Sequence, residues 1–359
     1  MKRGGLFLCA VLCAPALVAA APPRSAPIRT GIWVMQKLPA DAKAFDEFSS
    51  GIRGNPDLSG VCLNFAWKSI EQQKGKPDFS ALDKAIDVLR KQNLKYQLCL
   101  KPGANTPDFV YDDGAQAFPT QVTNPHRANA GAAIRIPVPW DPTYQRDFAN
   151  TIHLLGQRYA TDPLCVGVVL TCANFLSAEM HLPKRPVDLA RWASLGHYEQ
   201  ELLAVYKKFT GEWAQAFPRQ EISLHLSKVL DLPPAFCAEI IDNGLKEYPD
   251  RFTIQNCQLT GRKEDIGNMT YQLVQKYRDR AHHGFQSVAG LTRQNERMGS
   301  VEMAALNVVH AGGEYWELWH GDGINPATTA AVAQAWQQAR QLGYEGYKKK
   351  LIAEGKYRH

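Results

Sequence analysis

Short apolar runs alternate with amphipathic segments along most of this chain. Eight of the runs have the length and the β-branched or aromatic content of buried strands. We predict these strands at residues 31–35, 60–65, 95–101, 165–171, 221–226, 252–257, 284–288 and 315–319. Between them, apolar residues recur at helical spacing, as in Leu82, Ala85, Ile86 and Leu89.

The order of these elements predicts the fold. Strands that each precede a helix indicate a parallel sheet, and the number eight favours closure into a barrel. We therefore expect an α/β fold, a (β/α)8 TIM barrel that forms a single domain at residues 28–345. An open, doubly wound sheet is the alternative. It is disfavoured because no Gly-x-Gly-x-x-Gly motif follows the first strand.

Both ends of the chain differ from this pattern. Lys2 and Arg3 precede an apolar run at residues 6–18, which ends in small residues. This arrangement is typical of a signal peptide, so we expect residues 1–20 to be removed and the protein to be exported, to the periplasm or the extracellular space. Residues 346–359 are predicted to form a basic C-terminal tail. No later apolar run is long enough to predict a membrane span.

Charge and cysteine content further limit the classes of function that the sequence allows. The formal charge of +6 is spread along the chain, and no basic face with interleaved aromatic residues predicts nucleic-acid binding. Of the eight cysteines, Cys9 and Cys13 lie in the predicted signal peptide. The other six fall in predicted strands and one predicted helix, where we expect small buried side chains. Export would also permit one or two disulfides.

Polar and aromatic residues collect at or near the predicted carboxyl ends of the strands, where barrels of this kind carry their chemistry. Two are carboxylates, Glu179 after the fourth strand and Glu317 on the eighth. Tryptophan faces can stack on sugar rings, while amides and acids bond hydroxyl groups. We therefore predict a polyhydroxylated ligand. Its predicted binding residues are Asn64, Trp67, Lys101, Trp140, Asn174, His181, His225, Asn256, Gln286, Trp319, His320 and Asp322.

Four segments resemble a known family. Residues 67–83 contain Trp, Ile-Glu, Gly, Asp-Phe-Ser and Leu-Asp in the order found around the second strand of retaining (β/α)8 glycoside hydrolases of the β-galactosidase-like and cellulase-like kind. Residues 107–110, 140–163 and 315–319 are similar to the segments after strand three, before strand four and on strand eight. The resemblance extends over most of residues 30–345.

The resemblance implies a role for Glu179. In that superfamily the general acid/base glutamate lies just beyond strand four, and Glu179 is the nearest acidic residue here. The family usually has an Asn-Glu dipeptide, whereas Asn174 lies five residues before Glu179 in this chain.

The resemblance also implies a nucleophile at the end of strand seven, where this chain has the amide Gln286. Three interpretations stay open at this point. Glu317 supplies the second carboxylate, with Asp322 as a further candidate. Glu296 supplies it from the following loop. Or the barrel binds sugar without cleaving it.

The sequence thus predicts an exported glycoside hydrolase that cleaves an oligo- or polysaccharide with Glu179 and Glu317, by a retaining or an inverting mechanism. A non-catalytic carbohydrate-binding barrel is the alternative. No cofactor is expected. A serine hydrolase is disfavoured because Ser287 lacks the Gly-x-Ser-x-Gly context, and a metal site because the histidines lack ligand spacing.

Two geometric expectations follow. Trp67, Asn174, Gln286 and Trp319 should surround one cleft. On the eighth strand, Tyr315, Glu317 and Trp319 should share a face, since side chains alternate along a strand.

Overall fold

The computed structural model describes residues 28–125, 128–264, 267–291 and 295–358. The predicted signal peptide, residues 1–20, lies outside the described residues. Within these ranges there are ten strands: β1 Gly31–Lys37, β2 Leu58–Ala66, β3 Lys95–Lys101, β4 Ala117–Gln121, β5 Ala133–Pro137, β6 Cys165–Val169, β7 Glu221–Leu226, β8 Phe252–Leu259, β9 His282–Ser287 and β10 Tyr315–Trp319.

Eight of these strands close into a parallel barrel in the order β1-β10-β9-β8-β7-β6-β3-β2. The register pairs Gly31 with Tyr315 and Met35 with Trp319, so the first strand of the chain is joined to the last. The predicted (β/α)8 barrel is confirmed, and the open sheet is excluded.

Helices surround the barrel. They are α1 Ala42–Ile52, α2 Trp67–Ile70, α3 Ser80–Lys91, α4 Asp108–Asp112, α5 Pro142–Tyr159, α6 Pro186–Ser194, α7 Tyr198–Ala216, α8 Pro234–Glu247, α9 Met269–Tyr277, α10 Asn295–Met298, α11 Val301–Ala311, α12 His320–Gly323 and α13 Pro326–Ala353.

Local sequence explains where the longest helices begin. Asp141 caps α5 by accepting hydrogen bonds from two backbone amides, and a proline occupies the first helical position. Asn325 and Pro326 begin α13 in the same way. This helix bends at Gly343, which has a positive φ, and continues to Ala353. The residues for which a basic tail was predicted thus begin within α13.

The hairpin of β4 and β5 was not predicted from the sequence. It is antiparallel and lies in the long connection between β3 and α5. Phe118 of β4 stacks on Trp192 of α6, with 3.7 Å between ring centroids. The buried carboxylate of Asp188 accepts a hydrogen bond from Thr120, which fixes the hairpin to the same helix.

The cysteines contribute to the interior as small side chains. All six that the structure describes are buried and free, so none of them forms a disulfide. No helix in the described part of the chain is both long enough and apolar enough to cross a membrane.

Candidate functional site

The loop after β6 enters the carboxyl-terminal mouth of the barrel. Ala178 packs inside the barrel in a cluster with Cys62, Cys99 and Val169. Buried and half-buried residues then alternate from 178 to 182. Glu179 and His181 are the half-buried ones. The loop is therefore held by its apolar residues while its polar residues face the mouth.

Asn174 fixes the shape of this loop. Its Oδ1 accepts from the backbone amide of Cys172 at 2.8 Å, and its Nδ2 donates to the carbonyls of Ala178 and Glu179 at 3.0 and 2.8 Å. The Ser177 hydroxyl donates to the Glu179 carboxylate at 3.4 Å. Both ends of the Asn174 amide thus bond the backbone of this loop, which gives Asn174 a part in positioning Glu179.

Glu317 lies inside the barrel on β10. Its neighbour Tyr315 bonds residues of the barrel interior, whereas Trp316 and Leu318 belong to the core outside it. The predicted alternation along this strand is confirmed. The Glu317 side chain is 0% exposed, and its Oε1 accepts from Gln286 Nε2 at 2.5 Å and from Gln255 Nε2 at 3.4 Å.

A buried arginine below Glu317 was missed by the sequence prediction. Arg29 precedes β1, and its guanidinium pairs with Glu221 at 2.9 Å and lies 3.7 Å from Glu317 Oε2. It also donates to Gln97 at 2.8 Å and to Tyr315 at 2.5 Å. We call this set, with Gln255 and Ser223, the polar layer. The sequence does contain a sign of this layer. Three polar residues, Glu221, Ser223 and His225, alternate along one strand and so must share a face.

Burial governs the electrostatics of this region. It raises the pKa of Glu317 above its usual value, while the positive charge of Arg29 and the hydrogen bond from Gln286 act in the opposite direction. Burial also lowers the pKa of His225 well below 6.5, and the Arg29 charge lowers it further. His225 is therefore a neutral imidazole at pH 7, and its Nε2 has no partner among the described residues.

Cys257 of β8 lies close enough to both Glu179 and Glu317 for their negative charges to act on its thiol. Burial raises the pKa of the Cys257 thiol, and the negative charges of Glu179 and then Glu317 raise it further. In the barrel, β8 lies two strands from β6, which precedes the Glu179 loop, and two strands from β10, which carries Glu317.

Gln286 of β9 lies between the polar layer and the mouth. It is 8% exposed. Its Nε2 donates to Glu317 and lies 3.3 Å from the Met35 sulfur. The carboxylate predicted to be catalytic is therefore covered by the amide that occupies the implied nucleophile position.

Several other predicted residues lie around the mouth. Asn64 is inward-facing and donates to the Cys62 carbonyl at 3.2 Å. Lys101 follows Gln97 and Cys99 on the inner face of β3 and is half-buried. Trp319 is 37% exposed, and its indole donates to the Ser287 carbonyl at 2.7 Å. His320, at the start of α12, is half-buried. Trp319 thus presents a partly exposed aromatic ring at the end of β10.

Trp67 does not lie in the cleft, contrary to the prediction. Its side chain is 0% exposed, and its ring centroid is 5.0 Å from that of Phe148. Its indole donates to Glu71, which also accepts from Thr151 of α5. The Trp and Ile-Glu motif that carries the family resemblance therefore joins α2 to α5, and it leaves no ring face for a sugar.

Three further residues have structural contacts that the prediction did not foresee. Asn256 points outward from β8 and donates to Thr270 at 3.0 Å. Asp322 is buried and accepts from the Leu291 amide at 2.7 Å, which holds the loop after β9. Trp140 is half-buried against Trp192 beside the hairpin.

Other parts of the described surface have fewer side chains that are available to bind a ligand. A groove of about 770 Å³ lies between α3 and α5, but the charges that line it are already paired, as in Arg158 with Asp83 and Arg90 with Asp162. Within the described ranges, no group of three or more His, Cys, Asp or Glu side chains could hold a metal ion.

A family model and a curated protein, both of β-galactosidases, match part of this chain. The model of the glycoside hydrolase family 42 β-galactosidases matches residues 57–179, a segment that begins before β2 and ends at Glu179. The β-galactosidase BgaH of Haloferax lucentense is 29% identical over 103 residues, which is 29% of this chain and 15% of that protein. This chain thus matches only a small part of its curated relative.

Solved structures share the fold at low identity. A cold-adapted β-galactosidase from Rahnella sp. R3 has a TM-score of 0.57 and 11% identity, over 88% of this chain and 57% of that one. The catalytic domain of a β-amylase from Paenibacillus polymyxa has a TM-score of 0.53 and 11% identity, over 85% of this chain and 98% of that one.

Proposed function

Because this chain belongs to the (β/α)8 glycoside hydrolase superfamily, we propose that it hydrolyses a glycosidic bond of an oligo- or polysaccharide at the mouth of its barrel. The observation that carries the proposal is the placement of Glu179. It lies on a loop that Asn174 and Ala178 fix to the barrel, and it faces the mouth half-buried.

Glu179 acts as the general acid in this proposal. A general acid must hold a proton near the leaving oxygen and must have its side chain fixed in position. The hydrogen bond from the Ser177 hydroxyl helps to fix the Glu179 carboxyl group in position, and the buried neighbours Phe175 and Met180 supply a partly apolar setting. A partly apolar setting favours the protonated form of a carboxyl group.

We propose for Glu317 a role other than the predicted catalytic one. A nucleophile must touch the anomeric carbon, but the Glu317 side chain is enclosed by Gln286 above and by the polar layer below. We therefore assign Glu317 as a positioning residue that acts through Gln286. Trp319, half-exposed at the rim, is the proposed sugar platform.

A non-catalytic carbohydrate-binding barrel is the second candidate. It is favoured by one observation, the amide of Gln286 at the position where the resemblance implies a nucleophile. Such a barrel would bind glycans at the same mouth but turn none over.

The test compares Glu179→Gln with the wild type on two kinds of substrate. Loss of the general acid should reduce turnover of unactivated oligosaccharides by about a hundredfold or more. Turnover of aryl glycosides with good leaving groups should fall much less, because such leaving groups depart with little need of a proton. Glu212→Gln is the matched control, since Glu212 is a half-buried glutamate that pairs with His153 on the outer helices.

An equal loss on both kinds of substrate would assign Glu179 a binding or structural role. Binding of glycans by the wild type without hydrolysis of any would establish the second candidate.

Export is a separate part of the proposal. It is supported by the charged and then apolar pattern of residues 1–20. N-terminal sequencing of the protein recovered from the native cell envelope or medium should find a chain that begins near residue 21. Recovery of the uncleaved chain inside the cell would contradict it.

A further inference from the structure

The orientation of the Gln286 amide is fixed by the carboxylate behind it. Nε2 donates to Glu317 Oε1 at 2.5 Å and lies 3.3 Å from the Met35 sulfur. An ionised carboxylate only accepts hydrogen bonds, so it holds the NH₂ end of the amide and disfavours the flipped orientation. The carbonyl Oε1 is therefore turned away from Glu317, on a side chain that is 8% exposed, and both side-chain hydrogen bonds that Gln286 makes within the described residues come from Nε2.

The environment makes this carbonyl a strong acceptor. The charge of Glu317 lies directly behind the amide and polarises it toward Oε1, as happens along hydrogen-bond chains in a low-dielectric interior. Arg29 holds Glu317 in place at 3.7 Å. An amide oxygen is nevertheless no substitute for the carboxylate that forms a covalent glycosyl-enzyme in retaining enzymes. The site thus offers an acid at Glu179 and an acceptor at Gln286, while the carboxylate nearest to Gln286, Glu317, is not exposed.

We propose that the sugar bound beside Gln286 carries an acetamido group at C2, and that this group is the nucleophile of the reaction. This inference rests on the proposed function. The acetamido N–H donates to Gln286 Oε1, which orients the group and raises the electron density on its carbonyl oxygen. A hydroxyl at C2 can also donate to Gln286, but it brings no nucleophile with it. Substrate-assisted reactions of this kind are a known exception to the two-carboxylate scheme.

The step balances as follows. The acetamido carbonyl oxygen forms a bond to C1, the bond from C1 to the glycosidic oxygen breaks, and the Glu179 proton moves to that oxygen as the alcohol leaves. The product is an oxazolinium ion, whose N–H remains bonded to Gln286. Water then attacks C1 and gives its proton to Glu179, and the C1 bond to the acetamido oxygen breaks. The sugar is released with its original anomeric configuration, and the enzyme is regenerated.

The substrate preference of the wild type tests this inference apart from the proposed function. Matched 4-nitrophenyl glycosides are compared, with gluco and galacto rings, both anomers, and either acetamido or hydroxyl at C2. We expect hydrolysis of an acetamido substrate at least about a hundredfold faster than of its hydroxyl counterpart, with retention of configuration.

Comparable hydrolysis of hydroxyl substrates would overturn the inference and leave the proposed function intact. Hydrolysis of neither, on these and on oligosaccharides, would overturn both.

A binding experiment tests the roles of Gln286 and Glu317. The probe is a sugar-fused thiazoline, in which sulfur replaces the attacking oxygen, with the parent sugar bearing a C2 hydroxyl as the reference ligand. Gln286→Ala and Glu317→Gln should each weaken thiazoline binding by roughly tenfold, since each removes or disorders one hydrogen bond. Binding of the reference sugar should change less.

Gln258→Ala is the control, because that amide lies on β8 and bonds Asn268 outside the barrel. Equal losses for both ligands would show that Gln286 and Glu317 only maintain the fold, and would overturn their assigned roles. If either variant fails to fold, the wild-type substrate preference decides the inference alone.

Discussion

Replacing Arg29 by methionine should destabilise the barrel strongly. The side chain is buried and donates five hydrogen bonds to other side chains, namely those of Glu221, Gln97, Gln255, Ser223 and Tyr315. Its removal leaves two buried carboxylates without a cation. Breaking a buried ion pair by removing one partner costs about 3–5 kcal/mol, a large share of the roughly 5–15 kcal/mol that stabilises a typical domain.

The assay is equilibrium unfolding in guanidinium chloride at pH 7, followed by tryptophan fluorescence. Arg29→Met should lose about 4 kcal/mol of unfolding free energy. The triple variant Arg29→Met, Glu221→Gln, Glu317→Gln should recover much of it, because neutral side chains no longer need the cation. Arg90→Met is the control: that arginine is 54% exposed in its pair with Asp162, so the expected loss is about 1 kcal/mol or less.

The loss should depend on pH in a defined direction. Without Arg29, the pKa of Glu317, already raised by burial, should rise further. A carboxyl group whose pKa is raised in the folded state binds its proton more tightly there than in the unfolded chain. The variant should therefore be most stable below the usual carboxyl value of 4.5 and lose stability as the pH rises above it. A loss below 1 kcal/mol at pH 7, or a loss that does not diminish on acidification, would refute the reasoning.

Three further predictions concern the mouth and the interior. Trp319→Ala should weaken oligosaccharide binding by roughly tenfold in calorimetry while the protein stays folded at the assay temperature, since the ring is 37% exposed. Unchanged affinity would remove Trp319 from the site. Gly103→Ala should lower both stability and turnover. Gly103 has φ +68°, and a Cβ there would lie 2.3 Å from the carbonyl oxygen of Asn174, on the loop that carries Glu179. A fully active variant would contradict this coupling. The six described cysteines should resist a disulfide reagent at pH 8 until the protein is unfolded, because all of them are buried and burial raises the pKa of Cys237 to about 12. Rapid labelling of the native protein would disprove this.

Much of the fold could be predicted because its strands are continuous apolar runs with clear boundaries. The eight barrel strands contain the predicted segments nearly residue for residue, and differences are confined to the ends, as at β9, which begins at His282 and not at residue 284. The β4 and β5 hairpin could not be predicted in this way. Its strands contain Pro119 and Arg135, and its register depends on packing against α6.

The candidate site was predictable in part. Glu179, Glu317, Gln286 and Trp319 follow from the rule that strand ends carry the chemistry, and alternation gave the face of Glu317. The sequence does not show how deep each inward-facing side chain lies along the barrel axis. The Glu317 side chain is fully buried, whereas Gln286, its register partner on the adjacent strand, donates a hydrogen bond to it and keeps a small exposed fraction.

Trp67 shows a second limit of prediction from sequence motifs. Its motif resembles that of the family, but a motif does not distinguish a residue that builds the scaffold from one that meets the substrate. Only the contacts with Phe148 and Glu71 decide that question.

The position of Arg29 in the chain has a consequence for folding kinetics. Its partners Glu221 and Tyr315 lie 192 and 286 residues further along the chain. Contacts of such long range are formed late, because the entropy of closing the intervening loops must be overcome first. A partly assembled barrel that lacks either end therefore exposes a charged interior to water and gains little by closing. Half-barrels of this protein should be poor folding intermediates, and the joining of β1 to β10 should be the step that commits the chain to its native state.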